Sequence, residues 1–114
     1  MKKDSVYIKH ILDSIQNIEE YTTGMSREDF FSANSKMVRS AVVREFEIIG
    51  EATGRLSEKL KQDNSKVPWR DIQDMRNKLI HEYFGVDIGI IWKTIEDDLP
   101  ELKKILLEIA DFFE

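Results

Sequence analysis

Residues 36–62 read KMVRSAVVREFEIIGEATGRLSEKLKQ. In this stretch apolar side chains recur every three or four residues, at Met37, Val38, Ala41, Val42, Ile48, Ile49, Ala52, Leu56 and Leu60. An α-helix turns by about 100° per residue, so this spacing places the apolar side chains on one face. We therefore predict one long, central helix over residues 36–62, with Asn34 and Ser35 available to cap its start.

Two glycines, Gly50 and Gly54, lie inside this predicted helix. Glycine costs about 1 kcal/mol relative to alanine in a helix interior. Because the two glycines are four residues apart, they share a face and leave it without side chains. We therefore expect a second helix to approach closely on this face.

Apolar periods of three and four residues also occur on both sides of the central stretch. Residues 5–22 and the residues after 87 show such periods, and no stretch alternates with period two. Ser26 and Asp29 resemble a capping box, which predicts a short helix to about residue 32. The sequence thus predicts an all-α fold, a four- to five-helix bundle with short connections.

Proline, glycine and aspartate predict the bounds of the later helices. Pro68 suits the first turn of a helix, where its missing N–H is not needed. The helix that it opens should run to about residue 82 and end at Gly85. Asp87 should cap the next helix, and Pro100 should kink or restart it.

Composition limits the class of protein. The chain has 114 residues, so we expect one domain over 1–114, and it has no cysteine, which excludes disulfide scaffolds and thiolate metal sites. No signal peptide or membrane span is recognisable, so a cytoplasmic location is expected. The net charge of -5 argues against a protein that coats nucleic acid through one broad basic surface. Residues 36–81 nevertheless carry a net +3, against -6 for residues 82–114, which allows a local positive site.

Residues 75–85, MRNKLIHEYFG, concentrate the side chains that could carry chemistry. His81 can take and give a proton near neutral pH, and Arg76 offers a fork of donors suited to phosphate. Asn77 can orient either the histidine or a substrate. Together these groups suit RNA cleavage without a metal, in which a 2′-hydroxyl attacks the adjacent phosphorus.

The spacing of these residues has a geometric consequence. Asn77 and His81 share a helix face, whereas Arg76 and His81, five residues apart, point about 140° away from each other on an ideal helix. They reach one point only if the helix is distorted at its end or if a second copy of the chain supplies one of them. The spacing therefore favours a homodimer in which two such stretches face each other.

Structural interpretations compete with this one. His81 could simply favour a helix C-terminus, Tyr83 could be an interface aromatic, and Arg76 could pair with Asp71 or Asp74.

A further alternative is a divalent metal site, although the spacing does not require it. Its ligands would come from Glu45, Glu47, Glu51, Asp71 and Asp74. His81-Glu82 begins like the zinc-protease motif HExxH, but Gly85 stands where the second histidine is needed.

The chain resembles the HepT-like proteins of the HEPN superfamily. Their signature, an arginine, four residues, a histidine, one residue and a tyrosine, is matched by Arg76, His81 and Tyr83. The flanking segments are similar to the family as well: REFEIIGEA at 44–52, PWRDI at 68–72 and YFGVD at 83–87. The resemblance covers nearly the whole chain.

This resemblance implies a toxin of a type II/VII-like toxin–antitoxin pair, an all-α homodimer acting as a metal-independent endoribonuclease without a cofactor. Arg76 and His81 would be catalytic and Asn77 would support them. The implied partners are an RNA substrate and an MntA-like minimal nucleotidyltransferase antitoxin, which binds the toxin and adds AMP to Tyr83. The alternative is a non-catalytic dimeric binding module that serves as a substrate platform for a nucleotidyltransferase. Glu47 and Glu51 are expected near the motif helix.

Overall fold

The computed structural model describes residues 2–81 and 87–112, with the backbone alone at positions 2, 80 and 81. These residues form the helices α1 (Lys2–Tyr21), α2 (Arg27–Phe31), α3 (Lys36–Gly54), α4 (Glu58–Asp63), α5 (Trp69–His81), α6 (Ile88–Lys93) and α7 (Leu99–Asp111). A 3₁₀ turn (Ala33–Ser35) precedes α3, and a π-helical turn (Thr94–Asp98) joins α6 to α7. The described part of the chain contains no strand, so the predicted all-α bundle is confirmed, with four long helices and shorter ones between them.

Helix α3 lies at the centre of the bundle. It packs against α1 on one side and α5 on the other, and α7 packs against α1. The core is a single cluster to which α1 contributes Ile8, Ile11, Ile15 and Ile18, and α3 contributes Val42, Val43, Phe46, Ile49 and Ala52. Burying each large side chain of this kind contributes roughly 1.5–3 kcal/mol, so the predicted apolar faces define the bundle. Trp69 and Trp92 are also buried.

The predicted single helix over residues 36–62 is wrong. Helix α3 ends at Gly54, and Ser57 is the N-cap of α4, where its hydroxyl oxygen accepts the Leu60 N–H at 3.2 Å. The backbone N–H and hydroxyl of Ser57 both donate to the Asp4 carboxylate of α1, at 2.8 and 2.6 Å. These bonds hold Ser57 in an extended conformation, whereas buried Leu56 and Leu60 continue the apolar period across the break.

Two of the predicted caps form and one does not. Ser26 and Asp29 make the capping box of α2, and Asp87 Oδ1 accepts the Gly89 N–H at 2.8 Å at the start of α6. Ser35 precedes α3 without capping it, because its hydroxyl donates to the Asp29 carbonyl at 2.6 Å. Asn34 lies in the 3₁₀ turn, so the expected cap from either residue is wrong.

Helix α7 begins at Leu99, with Pro100 in its first turn, so the predicted restart is confirmed. The end that the sequence predicts for α5 at Gly85 lies outside the described residues. Within the described ranges, no helix is both long and apolar enough to cross a membrane.

Candidate active site on the α3–α5 crossing

Helix α5 carries the motif and is fixed at its beginning. The Pro68 carbonyl accepts the Ile72 N–H at 3.1 Å, as the residue before a helix does. Trp69 is buried, and its indole N–H is shared between the carbonyls of Lys61 and Asn64, at 3.2 and 3.1 Å. The indole therefore ties the start of α5 to the end of α4.

The closest approach of α5 to α3 is at Gly50. A Cβ atom built on Gly50 would overlap the Cβ of Arg76, and it would lie 2.7 Å from Arg76 Cγ and 3.3 Å from the Ile72 carbonyl oxygen. One turn later, a Cβ on Gly54 would lie 2.9 Å from the side-chain amide nitrogen of Gln73. The predicted close approach of a helix to these two glycines is confirmed.

The Arg76 side chain is half-buried at this crossing. Its Nη1 donates to the Asn77 side-chain oxygen at 3.2 Å, and its Nε is buried with no hydrogen-bond partner among the described residues. No described carboxylate lies within 4.0 Å of the guanidinium, so the ion pair with Asp71 or Asp74 is not formed. The guanidinium therefore keeps donor capacity that the described residues do not use.

The neighbouring carboxylates of α3 are engaged elsewhere. Glu45 is buried and accepts the Asn17 amide at 3.3 Å. Glu47 and Glu51, expected near the motif helix, form ion pairs with Arg44 of α3 at 3.7 Å and with Arg55, just after α3, at 3.6 Å. Among the described residues, no group of three or more acidic or histidine side chains is arranged to hold a metal ion.

Among the four predicted site residues, the structure describes one side-chain contact, between the sequence neighbours Arg76 and Asn77. Arg76 and Asn77 are in contact, and His81 is the last residue of α5, described by its backbone alone. Five residues of helix separate His81 from Arg76, a rise of about 7.5 Å and a turn of about 140°. Tyr83, the predicted AMP acceptor, lies outside the described residues.

A family model described as "Ribonuclease HepT-like" matches residues 11–109, which include Arg76, Asn77 and His81. The chain belongs to this HepT-like family. The resemblance that the motif indicated is therefore confirmed.

Three curated relatives illustrate the membership. The HepT-like chain is 46% identical to a "Putative RNase" of Caldanaerobacter subterraneus, with 96% of each chain covered. It is 43% identical to the "Probable ribonuclease HepT" of Thermococcus cleftensis, covering 85% of this chain and 86% of the relative. It is also 43% identical to a "Gamma-glutamylcyclotransferase and putative RNase" of Methanocaldococcus jannaschii, where 97% of this chain spans 50% of the relative. No solved structure is significantly similar.

A cavity of about 370 Å³ lies between α3, the start of α5 and α7 of the HepT-like chain. Its lining is mostly apolar, with Phe46 and Ile72 among its walls, and includes Asp71, Asp98 and Glu101 against one basic side chain, Lys66. This excess of acidic side chains disfavours phosphate, so the cavity is a poor site for RNA.

One feature of the site was not predicted from the sequence. The glycine pair indicated a close helix approach, but it did not identify Arg76 as the side chain that fills the gap. The sequence did single out Gly50, because Gly50 lies in the segment 44–52 that resembles the family. Matching it to Arg76 needs the relative position of α3 and α5, which periodicity does not provide.

Proposed function

We propose that this chain is a metal-independent endoribonuclease that cleaves RNA in a cleft between two copies, and that it is the toxin of a toxin–antitoxin pair. The observation that carries the proposal is the Arg76 guanidinium, held by Asn77 and free of any described carboxylate within 4.0 Å. An arginine with unused donors can bind a phosphodiester, whereas one neutralised by a carboxylate cannot do so without breaking that pair. Membership of the HepT-like family and the names of the relatives support the same activity.

In the proposed reaction His81 is the base. Its imidazole takes the proton of a ribose 2′-hydroxyl, and the 2′-oxygen attacks the adjacent phosphorus. The bond from phosphorus to the 5′-oxygen breaks, and that oxygen takes a proton from a second histidine in the protonated form. The products are a 2′,3′-cyclic phosphate and a 5′-hydroxyl end. Arg76 donates to the phosphoryl oxygens as negative charge develops on them in the transition state.

The second copy of the chain supplies what one copy lacks. On an ideal helix, positions 76 and 81 are about 140° apart and so lie on different faces of one copy. Two motif helices that face each other would bring the Arg76 of one copy near the His81 of the other. The same arrangement provides two histidines, one as base and one as acid.

The decisive experiment is cleavage of RNA by the purified chain in EDTA, compared with His81→Ala. His10, which is exposed on α1, provides the matched control, because His10→Ala removes the only other histidine. We expect cleavage by the wild type and by His10→Ala, at rates that EDTA does not change, and none by His81→Ala. Sedimentation should give the same dimer for all three proteins.

Two results would contradict the proposal in different ways. Cleavage by His81→Ala at the wild-type rate would remove His81 from the mechanism. The absence of cleavage by a folded wild-type dimer, over a range of RNAs, would favour the non-catalytic platform for a nucleotidyltransferase.

For the antitoxin we propose a minimal nucleotidyltransferase that acts on Tyr83. The phenol oxygen of Tyr83 would attack the α-phosphorus of ATP, pyrophosphate would leave, and the phenol proton would pass to a base. The attached AMP would put bulk and negative charge beside Arg76 and His81. A phosphodiester substrate would then be repelled from the cleft.

A further inference from the structure

We propose that Gly50 is a positioning residue for Arg76: the missing side chain at this point of α3 creates the slot through which the Arg76 stem passes. The proposal rests on the proposed function, since it gives Arg76 a part in RNA cleavage. Its structural half, that Gly50 determines where the guanidinium lies, can be tested without any cleavage assay.

The contact is between the backbone of α3 and the first atoms of the Arg76 side chain. An added Cβ would overlap Arg76 Cβ, lie 2.7 Å from Cγ and meet the Ile72 carbonyl oxygen at 3.3 Å. Arg76 Cβ moves only with the α5 backbone, so no change of side-chain rotamer relieves the overlap. Any residue larger than glycine must therefore displace α5, and Arg76 with it.

The same slot restricts the guanidinium. Arginine has many rotamers, and each one that is blocked makes the remaining ones more populated. Contact with α3 limits the start of the Arg76 side chain, while Nε is buried beyond it and Nη1 donates to Asn77 at 3.2 Å. The side chain is thus held at its stem and at its tip. A catalytic arginine held in this way needs less ordering when the transition state forms.

Gly54 provides the internal control. It lies one turn beyond Gly50 in α3 and faces the same helix α5. A Cβ at Gly54 would meet only the flexible end of Gln73, 2.9 Å away, with the next atom at 3.9 Å. The Gln73 amide can rotate away, so alanine should fit there without moving α5. The two glycines therefore differ in function even though the sequence presents them as a pair.

The experiment compares wild type, Gly50→Ala and Gly54→Ala in two measurements. The first is RNA cleavage as a function of RNA concentration, well below the melting temperature of each protein. The second is the ¹⁵N–¹H resonance of the Arg76 Nε–H, assigned by its loss in Arg76→Lys. For Gly50→Ala we expect kcat to fall by at least about tenfold with KM within about twofold, as for an interaction made in the transition state. We also expect the Nε–H resonance to move.

Gly54→Ala should leave kcat, KM and the Nε–H resonance of Arg76 at their wild-type values. A folded Gly50→Ala protein with wild-type kcat, or with an unmoved Nε–H resonance, would overturn the proposal. A purely structural role for Gly50 would lower the melting temperature but leave kcat of the folded protein unchanged. If the wild type does not cleave RNA, the ribonuclease fails, and the resonance alone decides whether Gly50 positions Arg76.

A second pair of variants covers the case in which Gly50→Ala does not fold. Arg76→Gly removes the side chain that the new Cβ would overlap, so Gly50→Ala combined with Arg76→Gly should fold and should melt close to Arg76→Gly alone. A double variant that does not fold, or that melts far below Arg76→Gly alone, would mean that the clash is with the α5 backbone and would overturn the proposal.

Discussion

The Asp4 carboxylate accepts both the backbone N–H and the hydroxyl of Ser57, at 2.8 and 2.6 Å, across 53 residues of sequence. Asp4 is buried in the first turn of α1, and Ser57 is the N-cap of α4. The two bonds join the first turn of α1 to the connection between α3 and α4. Because the carboxylate is buried and receives two donors, this contact should stabilise the fold more than an exposed hydrogen bond does.

Replacement of Asp4 by alanine should lower the free energy of unfolding by about 3–6 kcal/mol, since it removes two hydrogen bonds to a charged group that contribute about 1.5–3 kcal/mol each. The measurement is urea denaturation followed by circular dichroism. Asp13→Ala, on the exposed face of the same helix, is the control and should change the free energy by less than about 0.5 kcal/mol. Equal losses in the two variants would show that the contact with Ser57 contributes nothing specific.

The same contact explains which part of the fold the sequence could not predict. The helix over residues 5–22 follows from a local apolar period and the start of the next long helix follows from Pro68, and α1 and the start of α5 match these predictions within a few residues. The break after Gly54 is different, because Asp4, which accepts two hydrogen bonds from Ser57 at the break, lies far away in the sequence. The apolar period runs through the break, with Leu56 and Leu60 both buried, so periodicity alone does not distinguish a continuous helix from an interrupted one.

For the candidate site, too, the sequence predicted one part and not another. Its residues could be identified from the sequence, because an arginine, an asparagine, a histidine and a tyrosine cluster at the end of one predicted helix. Their arrangement could not, because the position of Arg76 depends on its contact with Gly50 in another helix. The expectation that Arg76 and His81 meet in a dimer stays a prediction.

Asn77 should matter for catalysis but little for stability. It is exposed, and its side-chain oxygen holds Arg76 Nη1 at 3.2 Å. For Asn77→Ala we expect kcat for RNA cleavage to fall by about tenfold, equivalent to ~1.4 kcal/mol, about what one hydrogen bond to a charged group contributes. The free energy of unfolding should change by less than about 0.5 kcal/mol.

The control for this prediction is Asp74→Ala. Asp74 is exposed on α5, three residues before Asn77, and makes no described ion pair with Arg76. It should keep kcat within about twofold of wild type, because it removes no contact of the guanidinium. A similar loss of kcat in both variants would assign the effect to α5 in general instead of to the Asn77–Arg76 bond.

The neighbours Phe30 and Phe31 should differ sharply in their contribution to stability. Phe30 is fully buried, with its ring centroid 5.0 Å from that of Trp92, and so joins α2 to α6. Phe30→Ala should cost about 3–5 kcal/mol, as large-to-small changes in a core do. Phe31 is 38% exposed and has the Arg27 guanidinium 4.5 Å from its ring, so Phe31→Ala should cost only about 1 kcal/mol. Thermal and urea denaturation of the two variants measure the difference, and similar losses would contradict the described packing of α2.

Tyr83→Phe should abolish the proposed modification by AMP, because the phenol oxygen is its only nucleophile. The chain has three tyrosines, so Tyr21→Phe, at a partly exposed position, is a matched control. After incubation with a minimal nucleotidyltransferase and ATP, mass spectrometry should find one AMP on wild type and on Tyr21→Phe, and none on Tyr83→Phe.

The same incubation should inhibit RNA cleavage by wild type. It should leave the cleavage rate of Tyr83→Phe at its own starting value, since no charge is added to its cleft. AMP on Tyr83→Phe would place the acceptor elsewhere, and inhibition of Tyr83→Phe without AMP would mean that the partner acts by binding alone.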